Sequence, residues 1–337
     1  MILVVGPGAV GSFLAWTLAT GGADVTLLGR SGAPSARRPL ACVDLNGSSR
    51  TVQVDRAGAP GDVAAEPDLV ILAVRMADLA GALDVVERWP KAAVLAVENG
   101  IGADELVVER RPVGGLIAGS LTTSVELDGE TVRRRSRGGI ALAAVRGPVD
   151  AQIASLAARL EAGGLRVVET ADAAGMRWSK LLVNLLANAT SAILDVDPSD
   201  VYRDRSLFAI ERRQLREALE VMRRLGIRPI RLPGADTRLL AASARLPDGL
   251  MRPVLGRIVA GGRGGKDPSL RRHVRSGRPP TEAAWLNGSV DRAARTIGYR
   301  APLNARLAEL VDEVAADPAR RTWFRARPDR LLAELPR

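Results

Sequence analysis

Met1-Ile2-Leu3-Val4-Val5-Gly6-Pro7-Gly8-Ala9-Val10-Gly11 opens the chain, and its reading decides the fold. Ile2–Val5 is a short aliphatic run of the kind that forms a buried strand, and no basic stretch precedes it as in a signal peptide. Directly after it, Gly6, Gly8 and Gly11 fit G-x-G-x-x-G, and the segment from Ala9 to Thr20 carries helical periodicity. In that context each glycine has a task. Gly6 permits a tight turn, Gly8 lets the backbone approach a pyrophosphate, and Gly11 allows the helix to pack close to the sheet. The free N–H groups and positive dipole end of the helix would hold the phosphates. The loop of Gly6, Pro7, Gly8, Ala9, Val10 and Gly11 is therefore expected to bind a dinucleotide in a Rossmann βαβ start. A glycine turn in a generic α/β protein is the plainer reading, and the motif's position between strand and helix speaks against it.

Which dinucleotide is bound is read at the end of the second apolar run, Asp24–Leu28. A site for NAD wants Asp or Glu there, to bond the ribose 2′-OH. This chain has Leu28-Gly29-Arg30-Ser31, with no acid. Arg30 can clamp a 2′-phosphate with charge-assisted bonds, Ser31 can add a hydroxyl, and Arg37 and Arg38 can assist. NADP(H) is the expected cofactor. The plainer alternative is that Arg30 is one more surface arginine in an arginine-rich chain.

Further along, strand-like runs alternate with helical ones. Leu69–Val74, Ala93–Val97, Val113–Ala118, Ile140–Val145 and Leu165–Val168 read as strands, with a hairpin around Asp128-Gly129. Such alternation predicts a parallel sheet covered by helices on both faces. After about Glu169 the pattern turns helical. Ala173–Ala192 reads as one long helix, and Arg205–Leu225 as another with i,i+4 charge pairs such as Arg213/Glu217. Glu282–Ile297 and Asn304–Ala315 follow. The glycine-rich stretch 260–268 reads as a loop. The expected domains are a nucleotide-binding domain over 1–170 and a helical substrate domain over 171–337.

Composition limits the function classes. The 337 residues carry a net charge of +10, but lysine occurs only at Lys91, Lys180 and Lys266, and every other basic side chain is Arg. Aromatic residues make up only 3%, so no basic, aromatic-studded stretch is available to stack bases. The runs Arg133-Arg134-Arg135 and Arg271-Arg272 read as solvated faces. No nucleic-acid partner is expected, and no apolar run is long enough to imply a membrane span. The single cysteine, Cys42, excludes an intrachain disulfide, and the single histidine, His273, argues against a histidine-based metal site. A cytoplasmic location is expected.

Chemistry enters with Trp178-Ser179-Lys180-Leu181-Leu182-Val183-Asn184-Leu185-Leu186-Ala187-Asn188. Lys180, Asn184 and Asn188 stand at i, i+4 and i+8, so a continuous helix would stack them on one face. Three polar groups among apolar neighbours are costly unless they meet a polar ligand. A lysine can polarise a carbonyl and give the developing alkoxide a proton, which a guanidinium cannot. A polar stripe facing solvent is the alternative. Glu282, in Pro279-Pro280-Thr281-Glu282, is a second candidate, although an acid after a capping Thr281 is also ordinary helix-start chemistry.

Together these residues resemble the ketopantoate reductase (2-dehydropantoate 2-reductase) family. The likeness takes in the glycine loop, Leu28-Gly29-Arg30, Glu98-Asn99-Gly100-Ile101-Gly102, the Lys180/Asn184/Asn188 segment, Thr281-Glu282, Asn287-Gly288 and Ala301-Pro302-Leu303-Asn304. It implies a Rossmann-type domain followed by an all-helical C-terminal domain like that of 6-phosphogluconate dehydrogenase. It also implies NADPH-dependent reduction of a 2-oxo acid, ketopantoate, to its 2-hydroxy acid, pantoate, on the route to coenzyme A. Carried over by position, Lys180 is the general acid, and Asn184 and Asn188 bind substrate. Asn99 lies beside the nicotinamide ribose and helps orient substrate. Glu282 completes the site near cofactor and substrate. Ser269 matches a substrate-binding serine, with one residue inserted before Glu282. The site is expected in a cleft that excludes water, and a homodimer is compatible with the resemblance.

Several positions depart from the family pattern. Arg75 stands where a cofactor-touching Lys is usual, His273 where an Asp is expected four residues after Ser269, and Pro198 where some members carry a substrate-binding Asn. The 260–268 stretch looks unlike the helix usual in the family. These leave three readings open. One is a ketopantoate reductase. Another is a family reductase for a different 2-oxo acid or ketone, which the altered Ser269–His273 segment favours. The third is a non-catalytic NADP-binding protein, against which the joint presence of Lys180, Asn184, Asn188 and Glu282 speaks.

Overall fold

Ile2–Val5 forms strand β1, as its aliphatic run predicts, and Ala9–Thr20 forms helix α1. The computed structural model describes residues 1–29, 35–111, 113–247, 251–252 and 267–336. By Cα packing the chain divides into two units. The first comprises Met1–Glu98, Gly102–Met176 and Leu232–Gly234, and the second Asn99–Ile101, Arg177–Arg231 and Ala235–Arg337.

The first unit is built on one eleven-stranded sheet. After β1 come β2 (Val25–Leu28), β3 (Ala36–Val43), β4 (Ser49–Ala57), β5 (Leu69–Leu72) and β6 (Ala93–Ala96). They are followed by β7 (Leu116–Leu121), β8 (Val125–Asp128), β9 (Thr131–Arg134), β10 (Ile140–Arg146) and β11 (Val167–Glu169). Their order across the sheet is β11-β10-β7-β6-β5-β1-β2-β4-β3-β9-β8. β7, β6, β5, β1 and β2 run parallel to one another. The order reverses at β1, which has β2 on one side and β5 on the other. With right-handed crossovers, that reversal sends successive helices to opposite faces and leaves a crevice beyond the carboxyl end of β1. α1 packs with α4 (Asp150–Ala162), and α2 (Leu79–Val86) with α3 (Ala103–Arg110). α1 is buried from Gly11 to Leu18, and its Phe13, Leu14 and Leu18 join Val4, Leu27, Ile71 and Leu95 in the core.

The parallel expectation holds for the centre of the sheet and for β2 with β4, β3 with β9 and β10 with β11, but not throughout. β3 and β4 pair antiparallel, as do β7 with β10 and β8 with β9. The β3–β4 hairpin closes through a turn in which Asp44 N–H donates to Ser48 O and Gly47 N–H to Asp44 O. A connection that short can join only antiparallel neighbours. Arg37 and Arg38 fall on β3, with Arg37 exposed opposite Asp55.

The second unit is helical. Its elements are α5 (Ala173–Leu185, which the unit boundary crosses), α6 (Ala189–Leu194), α7 (Pro198–Arg203), α8 (Arg205–Arg224) and α9 (Thr237–Ser243). α10 (Ser269–Ser276), α11 (Asn287–Thr296), α12 (Pro302–Ala316), α13 (Pro318–Phe324) and α14 (Pro328–Glu334) follow. A two-stranded pair, Arg231–Leu232 with Ala235–Asp236, interrupts the expected all-helical run of sequence, and Leu232–Gly234 count with the first unit. Phe208, Leu215 and Val221 of α8 share a core with Val290 of α11 and Leu307 and Leu310 of α12. A buried amide network adds direction to this packing. Asn287 Nδ2 donates to Gln214 Oε1 (2.9 Å) and Asn304 Oδ1 (3.0 Å), and Asn304 Nδ2 to Gln214 O (3.0 Å). Glu217 caps α12, accepting from the backbone N–H groups of Leu303 (3.1 Å) and Asn304 (3.0 Å). Among the described residues, no helix is long and apolar enough to cross a membrane.

Two helix expectations are corrected. The segment 173–192 is not one helix: α5 stops at Leu185, residues 186–188 form a turn, and α6 begins at Ala189. Glu282–Ile297 is likewise divided, a 3-10 turn over Glu282–Ala284 preceding α11.

The contact between α1 and the loop before it tolerates no side chain. A Cβ on Gly11 would lie 1.9 Å from Gly6 O and 3.3 Å from Ala73 Cβ. Gly11→Ala must push α1 off the sheet, and we expect its thermal unfolding midpoint to fall by about 5 °C or more. An unchanged midpoint by circular dichroism would refute this account of the loop.

Candidate active site

The glycine loop presents its backbone in the way a phosphate group requires. Gly6 has φ +107°, and Gly8, the N-cap of α1, is exposed, with no side-chain cap on the helix. A Cβ on Gly8 would meet nothing within 4 Å, whereas one on Gly6 would strike Ala73 O at 2.6 Å. Gly8 therefore faces open space at a helix start whose first N–H groups have no partner within the helix. The first turn of α1 carries no acidic residue to compete with an anion. These features fit a pyrophosphate on Gly6, Pro7, Gly8, Ala9, Val10 and Gly11. β2 ends beside them, Gly6 N–H donating to Leu28 O (3.1 Å). Arg30 and Ser31 lie outside the described residues. Arg75 follows β5, and its Nε donates to Asp78 Oδ2 (2.9 Å) in a half-exposed pair.

In the second unit, residues from distant parts of the sequence converge. Asn99, Gly100 and Ile101 belong to it although they directly follow Glu98 of the first unit, two residues beyond the end of β6. A Cβ on Gly100 would lie 2.2 Å from Trp285 O, which accepts from Ile101 N–H (3.2 Å). That close approach ties Asn99 to the turn carrying Glu282, since Trp285 N–H donates to Glu282 O (3.0 Å). From α5, Asn184 Nδ2 donates to Asn99 Oδ1 (3.2 Å). Lys180 stands one turn earlier on the same face, half-buried like Asn184. The Glu282 turn is anchored at its start: Thr281 N–H donates to Asp312 Oδ1 (2.8 Å), and Thr281 Oγ1 accepts from Ala283 N–H (3.2 Å).

Asn188 is not part of that stripe. At the end of α5 the chain turns through Ala187, whose φ is +47°, and Asn188 becomes the N-cap residue of α6. A left-handed alanine costs about 1 kcal/mol or more and needs support from its surroundings. The support comes from α8. Glu211, fully buried, accepts from Ala187 N–H and from Thr190 Oγ1, both at 2.6 Å, and Gln214 Nε2 donates to Leu185 O (3.3 Å). Turned this way, Asn188 accepts from Leu270 N–H (3.2 Å) through Oδ1 and donates to Ser269 Oγ (3.5 Å) through Nδ2. The two expected substrate-binding residues Asn188 and Ser269 thus pair with each other, and Asn184 pairs with Asn99.

Glu211 and Gln214 were not among the sequence candidates. They could have been noticed, because they interrupt the apolar stripe of α8 between Leu207 and Leu215 and are fully buried there. His273 is half-buried on α10, and Pro198 begins α7 behind the N-cap Asp197. A groove of about 1110 Å³ elsewhere on this unit, between α8 and α9, contains none of the candidate residues.

Comparison with known proteins decides the family. The family model described as Ketopantoate reductase PanE/ApbA matches residues 2–147, and that of its C-terminal part matches residues 172–315. A 2-dehydropantoate 2-reductase of Halobacterium salinarum is 30% identical over 315 residues, covering 92% of this chain and 97% of that protein. The chain belongs to the ketopantoate reductase family. A 2-dehydropantoate 2-reductase of Pyrococcus horikoshii is 26% identical, covering 92% of this chain and 96% of its own length. Among solved structures, a PanE/ApbA family ketopantoate reductase from Ralstonia eutropha has TM-score 0.74 at 23% identity, over 94% of this chain and 98% of that one. A D-mandelate dehydrogenase in ternary complex with NADH and anilino(oxo)acetate has TM-score 0.77 at 21% identity, with the same coverage. At these identities the solved structures speak for the fold. As a ketopantoate reductase family member the chain is an oxidoreductase, and NADPH is the cofactor that family uses.

The family residues Asn287 and Asn304 have a structural task in this chain, the amide network that joins α8, α11 and α12. The Glu211 contacts give a direct test of the α5–α6 break. Glu211→Gln keeps the shape but offers one acceptor oxygen to two buried donors. It should lower stability by about 1–3 kcal/mol in urea unfolding. An unaltered urea midpoint would mean that the break does not depend on this carboxylate.

Proposed function

We propose that the chain reduces ketopantoate to pantoate with NADPH, with Lys180 as the general acid. The observation that carries this reading is the convergence in the second unit of Asn99, Asn184 and the Glu282 turn beside Lys180 on α5. Residues spread over nearly two hundred positions of sequence meet there, and all are of the types a keto acid needs.

When bound, NADPH supplies the hydride that adds to the ketone carbon. Lys180 Nζ donates a hydrogen bond to the keto oxygen and delivers a proton as negative charge grows on it. Asn184 and Asn188 supply amide donors, and Ser269 a hydroxyl, to the substrate carboxylate. Asn99 orients the substrate and the nicotinamide ribose. The Glu282 carboxylate completes the polar ring near both. Arg30 and Ser31 hold the 2′-phosphate that distinguishes NADPH from NADH, and Arg75 lies along the cofactor.

His273 favours a second reading, reduction of a different 2-oxo acid. It shares the short helix α10 with Ser269, where the family pattern has an acidic residue, so the charge near the substrate's far end is altered.

Purified protein mixed with NADPH and ketopantoate, followed at the nicotinamide absorbance, tests the reading. Turnover is expected. Inertness toward ketopantoate with turnover of another 2-oxo acid would replace the first reading by the second. Lys180→Ala should lose about 10²–10⁴-fold in kcat with NADPH affinity unchanged, and a variant that keeps its rate would dismiss Lys180 as the acid. Arg30→Glu should weaken NADPH by about tenfold or more while leaving NADH nearly unaffected. Equal weakening of both would remove Arg30 from the phosphate site.

A further inference from the structure

We propose that Arg271, with Asp195, is a positioning residue that fixes the Asn188–Ser269 pair for the substrate carboxylate; this rests on the reading that those two residues bind it. Arg271 lies on α10, two residues after Ser269, and is 8% exposed. Its guanidinium donates to three aspartates from two separate stretches of chain, Asp195 and Asp197 after α6 and Asp267 before α10. Nε reaches Asp195 Oδ1 (2.8 Å) and Nη2 reaches Asp195 O (3.0 Å). Nη1 reaches Asp197 Oδ1 (2.7 Å) and Asp267 Oδ1 (3.0 Å).

Where these aspartates stand matters more than their number. Asp267 is two residues before Ser269, so its bond to Arg271 brackets the serine. Asp195 is the C-cap of α6 and holds a left-handed conformation, φ +53°. Asn188 is the N-cap of that same six-residue helix. Arg271 therefore grips both the entry to the Ser269 helix and the far end of the Asn188 helix, and the exposed Arg275 of the same helix adds an outer bridge from Asp195 Oδ1 (2.8 Å) to Asp267 Oδ2 (2.8 Å). The near ends of the two helices are held by the Asn188 bonds to Leu270 and Ser269. With a short rigid helix pinned to its neighbour at both ends, the amide and the hydroxyl have little freedom left between them.

Exposed ion pairs of arginine-rich chains rarely matter, because solvent screens them. This one differs in its burial and in its forked geometry, which an ammonium cannot reproduce. Burial pushes the Asp195 carboxyl up, but the hydrogen bonds from Arg271 and Arg275 outweigh it and hold the group below the usual carboxylate range. The Arg271–Asp195 pair is thus charged at neutral pH and is lost as the pH falls through the lowered Asp195 value.

Four proteins, the parent, Arg271→Leu, Arg271→Lys and Asp195→Asn, are compared in NADPH-dependent turnover of a 2-oxo acid and of its carboxamide. In Arg271→Leu, KM for the acid should rise about tenfold or more, with kcat within about threefold and KM for NADPH unchanged. The preference for the acid over the amide should fall by a similar factor, which a general loss of stability would not produce. Arg271→Lys should lie between parent and Leu variant. Asp195→Asn tolerates the left-handed backbone and keeps the proposal testable if Arg271→Leu does not fold; its KM for the acid should rise about threefold. If the parent turns over the acid but these variants keep its KM and its acid preference, the positioning role is overturned. A parent inert toward every 2-oxo acid overturns the proposed function, and this inference with it.

Discussion

The candidate site depends on one buried carboxylate. Glu211 reaches from the core face of α8 to the turn between α5 and α6 and accepts from Ala187 N–H and Thr190 Oγ1. A helix running on past Leu185 would have carried Asn188 along the face of Lys180 and Asn184. The interruption removes it from that face and makes it an N-cap, where its side chain meets Ser269 and the start of α10. A left-handed alanine and a buried carboxylate are each unfavourable alone. Together they satisfy one another, because the turn frees an N–H that the carboxylate needs and the carboxylate holds the turn in place. Irregular backbone of this kind, secured by the core rather than by local propensity, is where functional groups can be aimed independently of helical spacing.

The nucleotide loop follows the opposite design. There the geometry comes from residues with no side chain, and from topology. The strand order reverses at β1, so the carboxyl end of β1 opens onto a crevice, and the glycines allow the chain to turn at once into α1. Gly11 presses α1 against the loop, Gly6 passes under Ala73 O, and Gly8 alone is left open. Gly6 and Gly11 each need the absence of a Cβ for a different reason, while Gly8 faces open space, and this is why the spacing of the glycines carries so much information.

That contrast accounts for what could be read in the sequence. β1, α1 and the glycine tasks were legible because each depends on residues adjacent in the chain. Asn99, Asn184, Lys180 and Glu282 were legible as candidates through their chemistry and family likeness, though not their partners. The break at Ala187 was not legible. Every residue from Leu185 to Ala189 except Asn188 is apolar and suits a helix, and what interrupts it stands more than twenty residues away on α8. The β3–β4 hairpin was missed because Ala36-Arg37-Arg38-Pro39 is polar and carries a proline, and reads as loop. Its pairing comes from β4, whose Val54 and Ala57 are buried.

The surplus of arginine takes on a different meaning once the ion pairs are placed. Along α12–α14, Arg306 and Arg320 share Glu313 and Glu334 in a four-member network that joins three helices, with bonds of 2.6–3.1 Å. Arg223 and Arg224 both engage Glu220 at the end of α8. Some of the positive charge of this unit is thus engaged within single helices, as at Glu220, and some, as in the Arg306–Arg320 network, in joining short helices. Arg271 belongs to the same habit, with one difference. The Arg306–Glu334 network joins helix ends that carry no candidate residue, whereas the Arg271–Asp195 clamp joins the two helices that begin at Asn188 and Ser269. A chain that uses forked guanidinium groups to fasten its helical unit has, at that one place, fastened the part that meets the substrate in the proposed reaction.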